Sequence, residues 1–241
     1  MKIHRFFLNN PLGEEIVIKE KQLLHQWNNV LKFKIDENLI LFDGKEKFDY
    51  VYTIKNINKW EVKLSLKEKN KNLSQKEEKG ILNLYVSLIK KDNLDLILEK
   101  CTEIGVSEFT PIISDRVEKK NIASFNKERA EKLIIEATEQ AGWGNIPILN
   151  KEEKLEEFLT SIKNSGEIEK VVILDITEKE NKQINNNIDK LYVLIGPEGG
   201  WTDNERDLFK KYNLKTISFG KNILRAETAA IIASFHFLKN S

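Results

Sequence analysis

Cysteine is almost missing from the sequence. The one thiol, Cys101, excludes a disulfide within the chain and any cysteine-built metal site. Histidine is nearly as scarce: His4, His25 and His236 stand far apart, with no spacing that suits zinc, so no metal is expected. No apolar run approaches the ~18 residues needed to cross a bilayer. The opening MKIHRFFLNN has only a three-residue apolar run, too short for a secretory signal. No charge sign dominates either, since the formal net charge is +1. These absences lead to the expectation of a cytoplasmic protein without membrane attachment.

What is present suits a folded chain. Hydrophobic residues are 40% of the 241, enough for a core, and this length suits one or two domains. Residues up to 66 read as short strands, KIHRFFL, EEIVIKE, NLILFDG, FDYVYTI and WEVKLSL, interrupted by one helix, KQLLHQWNNVLK. This pattern predicts a small barrel. The polar stretch 67–80 reads as a linker. From residue 81 strands alternate with helices, which predicts parallel pairing and an α/β fold. The expected domains are 1–70 and 71–241. Residues 1–72 carry a net charge of +4 and the remainder −3, so the small barrel suits docking to a polyanion, or merely has a lysine-rich solvated surface.

Two stretches carry chemistry. The first is IGPEGGWTDNE, residues 195–205. It follows the apolar run LYVLI, a central-strand pattern, and parallel strands place ligands beyond their carboxyl ends. Gly199 and Gly200 permit positive φ and a close ligand, Pro197 stiffens the turn, and Thr202 with Glu205 forms a capping box that starts a helix. The phosphate-loop and dinucleotide glycine patterns are both absent. Glu198 disfavours phosphate and tolerates a cation. The second stretch is SFGKNILRAETAA, residues 218–230, again a strand end, a glycine loop and a helix start. The expectation is that the two strand ends sit side by side and form one crevice. The alternative is a pair of tight turns with no ligand.

Together, LIGPEGGWTDNE and FGKNILRAETAA resemble the RsmE family of SPOUT-class methyltransferases. EKCTEIGV (99–106), SDR (114–116), EATEQAG (136–142), HQWNNVLK and LFDG are similar to its other motifs in order and spacing, so the resemblance spans essentially the whole chain. It implies a PUA-like RNA-docking barrel and a C-terminal domain with a trefoil knot that holds S-adenosylmethionine. It also implies a homodimer and methylation of N3 of a uridine in small-subunit (16S) ribosomal RNA near the decoding site. Two residues depart from the family pattern. Trp143 stands where arginine is usual, either stacking on a base or packing internally, and Lys32 replaces an arginine, keeping charge without the bidentate fork.

The reaction so implied makes N3 nucleophilic by loss of its proton, which leaves negative charge on N3 and its flanking carbonyl oxygens. A cation aimed there stabilises the transition state. Arg225 is the first candidate and Arg116 the second; Arg225 has the alternative of an ion pair with Glu198 or Glu227. Either carboxylate is a candidate base, and either can instead brace the loops. Ile195, Gly196, Glu198, Gly199, Gly200, Phe219, Gly220 and Leu224 are the candidate cofactor contacts. Lys2, Arg5, Lys32, Lys34 and Arg116 are the candidate RNA contacts, with ordinary solvated charge as the alternative for each. A noncatalytic ribosome-binding assembly factor and a methyltransferase with another RNA target are the competing functions.

Overall fold

Alternating branched and aromatic residues do form strands across the first 71 residues. The computed structural model describes residues 3–45, 48–72, 80–176 and 189–239. The chain divides into two units: Met1–Lys76 with Thr138–Ile146, and Glu77–Ala137 with Pro147–Ser241.

In the first unit, β1 (Arg5–Phe7), β2 (Glu15–Ile18), β3 (Asn38–Phe42), β4 (Phe48–Ile57) and β5 (Val62–Lys71) form one sheet in the order β1-β3-β4-β5-β2. Its core holds Trp27, Leu39, Leu41, Tyr52 and Ile54, all fully buried. The expected helix over 21–32 is shorter and changes pitch. It runs as α1 (Lys21–His25) and then as a π-helical turn, Gln26–Val30, where the Leu31 N–H reaches the Gln26 carbonyl at 2.9 Å. The expected linker is also corrected. Residues up to Lys71 continue β5 and pair with β4, Lys71 opposite Phe48. Their charged side chains face solvent while the backbone stays in the ladder, so composition reported solvation and not pairing. Residues 73–79 lie outside the described residues.

The second unit is built on β6 (Ile81–Ser87), β7 (Glu108–Ile113), β8 (Ile148–Leu149), β9 (Glu153–Lys154), β10 (Val171–Leu174), β11 (Lys190–Ile195) and β12 (Lys215–Ile217). The order is β12-β10-β11-β6-β7-β8, with β9 also on β7, and every pairing is parallel, as the alternating pattern predicts. Runs such as VVIL and LYVLI are apolar on both faces because helices cover both sides of a parallel sheet. The helices after β6 are α2 (Lys91–Ile104), α3 (Lys119–Ser124), α4 (Lys127–Ala141), whose residues from Thr138 on belong to the first unit, α5 (Leu155–Asn164), α6 (Asp203–Lys211) and α7 (Ala226–Lys239). Helices α3 and α5 have no counterpart among the expected elements. Yet α5 buries Leu155, Phe158, Leu159 and Ile162 at helical spacing, a signal that was there to find. Among the described residues, no helix is long and apolar enough to cross a membrane.

Helices α2 and α7 pack against each other, and α7 also meets β6 and β11. Cys101 is fully buried on α2, and burial pushes its thiol up to about 12, only partly offset by a hydrogen bond with Ser234. A thiol reagent at neutral pH is therefore expected to modify none of the native chain and one residue per chain in denaturant. Rapid native labelling would show that the α2–α7 contact opens.

Candidate functional site

The two glycine loops meet in one cleft of the second unit, at the carboxyl ends of the parallel strands. Its volume is about 720 Å³, and its walls include Gly196–Gly200 and Ser218–Phe219 with Asn222–Glu227. That size suits a small-molecule ligand. The strands are not neighbours as expected, because β10 lies between β11 and β12. A third strand end therefore enters the site and contributes Leu174, Asp175 and Ile176.

The 195–202 loop is held by its own neighbours. The Gly200 N–H donates to the Pro197 carbonyl at 2.8 Å, closing a turn, and Gly200 sits at φ +68°, where a side chain is strained. Gly199 does not share that positive φ, and a Cβ there would meet the Arg116 Cδ at 3.2 Å. A Cβ on Gly196 would meet the Trp201 ring at 3.0 Å. The close approaches at these two glycines are thus made by the protein itself. Trp201, 1% exposed, lies edge-on to Phe209 and donates its ring N–H to the Leu174 carbonyl at 2.8 Å. One side chain so ties the loop after β11 to the end of β10.

The loop after β7 braces the same turn. Arg116 donates to the carbonyls of Gly199 at 2.5 Å and Trp201 at 3.3 Å. Thr202 and Glu205 make both halves of the capping box foreseen from T-x-x-E. The buried Glu205 also accepts the Asp115 N–H at 3.0 Å, and the Thr202 hydroxyl donates to Asp115 at 2.8 Å. The SDR segment is therefore a support for the glycine turn, and sequence spacing alone did not reveal that.

The charged groups of the cleft divide by partner. Glu198 accepts the backbone N–H of Lys90, at the start of α2, at 3.0 Å. Asp175, buried, forms a two-point pair with Arg206 at 2.7 and 3.3 Å. Glu227 is 8% exposed, and among the described residues its buried Oε2 has no hydrogen-bond partner. The Arg225 side chain is exposed, and among the described residues it makes no ion pair with Glu198 or Glu227. Ile195, Phe219 and Leu224 line the cleft, whereas Gly220, at φ +107°, shapes its loop without lining it.

The candidate RNA contacts do not form one group. Arg5 is corrected to an internal role. Its side chain is 9% exposed, pairs with Asp49 at 2.5 Å, donates to the Trp143 carbonyl at 3.0 Å and lies over the Phe42 ring at 4.1 Å. Partners distant in sequence engage a charge that looked free in the sequence. Trp143 is half-buried. Lys32 and Lys34 are exposed, and Lys2 lies outside the described residues.

The cleft suits S-adenosylmethionine by its donor and acceptor set. Apolar Ile195, Ile217 and Leu224 fit a purine face. The orphan Glu227 oxygen and the Asp175 carboxylate fit hydroxyl donors and a cation.

Comparison with known proteins agrees with this geometry. The family model described as RNA methyltransferase domain matches residues 75–236. Ribosomal RNA small subunit methyltransferase E of Rickettsia conorii is 34% identical, over 97% of this chain and 94% of that protein. The protein of the same name from Mesomycoplasma hyopneumoniae is 28% identical, over 95% and 96%. Among solved structures, the ribosomal RNA small subunit methyltransferase E of Neisseria gonorrhoeae, bound to S-adenosyl methionine, aligns with a TM-score of 0.86. It shares 24% identity and covers 99% of this chain and 98% of its own.

Proposed function

We propose that this chain, which belongs to the ribosomal RNA small subunit methyltransferase E family, methylates N3 of a uridine in small-subunit ribosomal RNA near the decoding site. It is an RNA methyltransferase that takes its methyl group from S-adenosylmethionine. The observation that carries the reading is the convergence of both glycine loops and the β10 end on one cleft. When bound, S-adenosylmethionine supplies an electrophilic methyl group on sulfur. The chain's own residues do the rest. Backbone and apolar groups of 195–200, 217–219 and 222–224 would hold the donor, with Asp175 as an acceptor at its edge.

Arg225 stabilises the negative charge that develops on the uracil ring once N3 loses its proton. A cation just before a helix N-terminus opposes the helix dipole, so its position serves no purpose in stabilising α7. Glu227, whose buried Oε2 has no partner among the described residues, is the better placed of the two candidate bases to accept that proton or to orient it. Glu198 is occupied in capping the start of α2 and serves the loop.

The reading extends to the fold. Helix α7 follows the edge strand β12 yet packs against α2, β6 and β11, a return path that supports a trefoil knot around the cleft loops. The five-stranded sheet of the first unit, with exposed Lys32 and Lys34, supports a PUA-like RNA-docking domain. Exposed Leu96, Ile232 and Phe235 on the packed pair α2 and α7 support a homodimer. The enzyme works in the cytoplasm, where its substrate is made.

The deciding experiment incubates the chain with radiolabelled methyl donor and small ribosomal subunits lacking the modification, then maps the labelled nucleotide by mass spectrometry. The expected product is one N3-methyluridine. No incorporation would leave a noncatalytic ribosome-binding factor, and a methyl group elsewhere would correct the target.

A further inference from the structure

The tip of the β4–β5 hairpin carries a feature that the cleft chemistry leaves unused. The turn is Asn58-Lys59-Trp60-Glu61, and Trp60 is 80% exposed. Nothing in the core requires an aromatic residue there, and turns of this kind favour small polar residues. The backbone beneath the indole is nevertheless firmly held. The Asn58 N–H donates to the Glu61 carbonyl at 3.1 Å, and the Asn58 side-chain oxygen accepts the N–H groups of Trp60 at 2.8 Å and Glu61 at 3.0 Å. Asn28, from the π-helical turn, donates to the Asn58 carbonyl at 3.2 Å. A bare indole therefore stands on a rigid mount, so little ordering cost remains when a ligand covers it.

The surroundings are basic. Residues 55–63 contain Lys55, Lys59 and Lys63 against one acid, Glu61, which pairs with Lys63 at 3.4 Å. Lys63 stands directly opposite Val17 in the β2–β5 ladder. Their neighbours in register, Ile18 with Val62 and Ile16 with Leu64, put Ile18, Val62 and Leu64 into the core. Val17, 49% exposed, and Lys63 accordingly share the outer face near the tip. A lone aromatic ring among lysines is a poor protein-docking surface, because lysine is depleted from such interfaces. It is the pattern of a base-stacking platform with phosphate contacts on its flanks.

We propose that Trp60, with Lys55, Lys59 and Lys63, forms an RNA-binding site that stacks on an unpaired base of the substrate RNA. The proposal rests on the reading of the chain as an RNA methyltransferase and adds a contact to it. The base must be unpaired, since a stacked duplex offers no free face to an indole.

The test compares the full-length chain with Trp60→Ala and Trp60→Tyr for binding to a labelled single-stranded RNA of about 12 nucleotides and to a duplex of equal length. The expected result is a loss of single-strand affinity by roughly 5- to 100-fold in Trp60→Ala, with most of it restored in Trp60→Tyr. Duplex affinity, melting temperature and methyl-donor affinity by calorimetry should stay unchanged. The pair Lys59→Ala and Lys63→Ala should lower the slope of log affinity against log salt by about two. Equal binding of Trp60→Ala and wild type to the single strand would overturn the proposal. So would a loss seen only with the protein-bearing subunit and not with naked RNA, which would assign the tip to a protein partner. Either result leaves the methyltransferase reading intact if the wild-type chain still transfers methyl groups. A wild-type chain that binds the single strand through Trp60 and transfers nothing would sink that reading alone.

Discussion

Arg225→Ala should lower kcat for methyl transfer by about 10²–10³-fold, the effect expected when a charge-stabilising donor is removed from an active site. Its exposed guanidinium engages no partner among the described residues, so the substitution breaks no internal contact. The Arg225 carbonyl, which accepts the Ala229 N–H at 2.8 Å and starts α7, is present in any residue at this position. Melting temperature and methyl-donor affinity should therefore hold steady, and Arg225→Lys should recover part of the rate. The measurement is steady-state kinetics on small subunits together with donor calorimetry. A loss confined to KM would mean that Arg225 binds RNA equally in ground and transition states, and the catalytic role would be withdrawn.

Trp201→Ala should have the largest effect on stability, about 3–5 kcal/mol, because it empties a nearly solvent-free site for a large ring. The effect reaches function through geometry. The ring fills the space beside Gly196, contacts Phe209 and holds the Leu174 carbonyl. Without it the ends of β10 and β11 lose their common anchor, and donor binding should fall below detection by calorimetry. Trp201→Phe separates packing from hydrogen bonding, since it keeps a ring but orphans the Leu174 carbonyl, at a cost of about 1–3 kcal/mol. Denaturant unfolding reads the first effect and calorimetry the second. If Trp201→Ala were as stable as wild type and bound the donor as well, the loop would not depend on this tether.

The different legibility of these residues has a physical cause. The capping box of Thr202 and Glu205 was readable because a cap joins residues three apart on one helical turn. Parallel strands were readable because apolar runs separated by amphipathic helices leave few other arrangements. Arg5 misled because its charge looked like surface charge, while Asp49, Phe42 and the Trp143 carbonyl lie 44, 37 and 138 residues away. The Arg116 brace was hidden for the same reason, as its acceptor on Gly199 is 83 residues distant.

The amino-acid order by itself determined the local pieces: where the glycine turns fall, which runs are apolar on both faces, and where helix α6 starts. Only the tertiary structure decided that β10 separates the two loop-bearing strands, that Asp175 and Arg206 join the cleft, and that Glu227 buries an oxygen with no partner among the described residues. Local pieces follow from dihedral preference and hydrophobic period, which act over a few residues. Strand order and partner choice follow from packing among segments that the chain brings together from far apart.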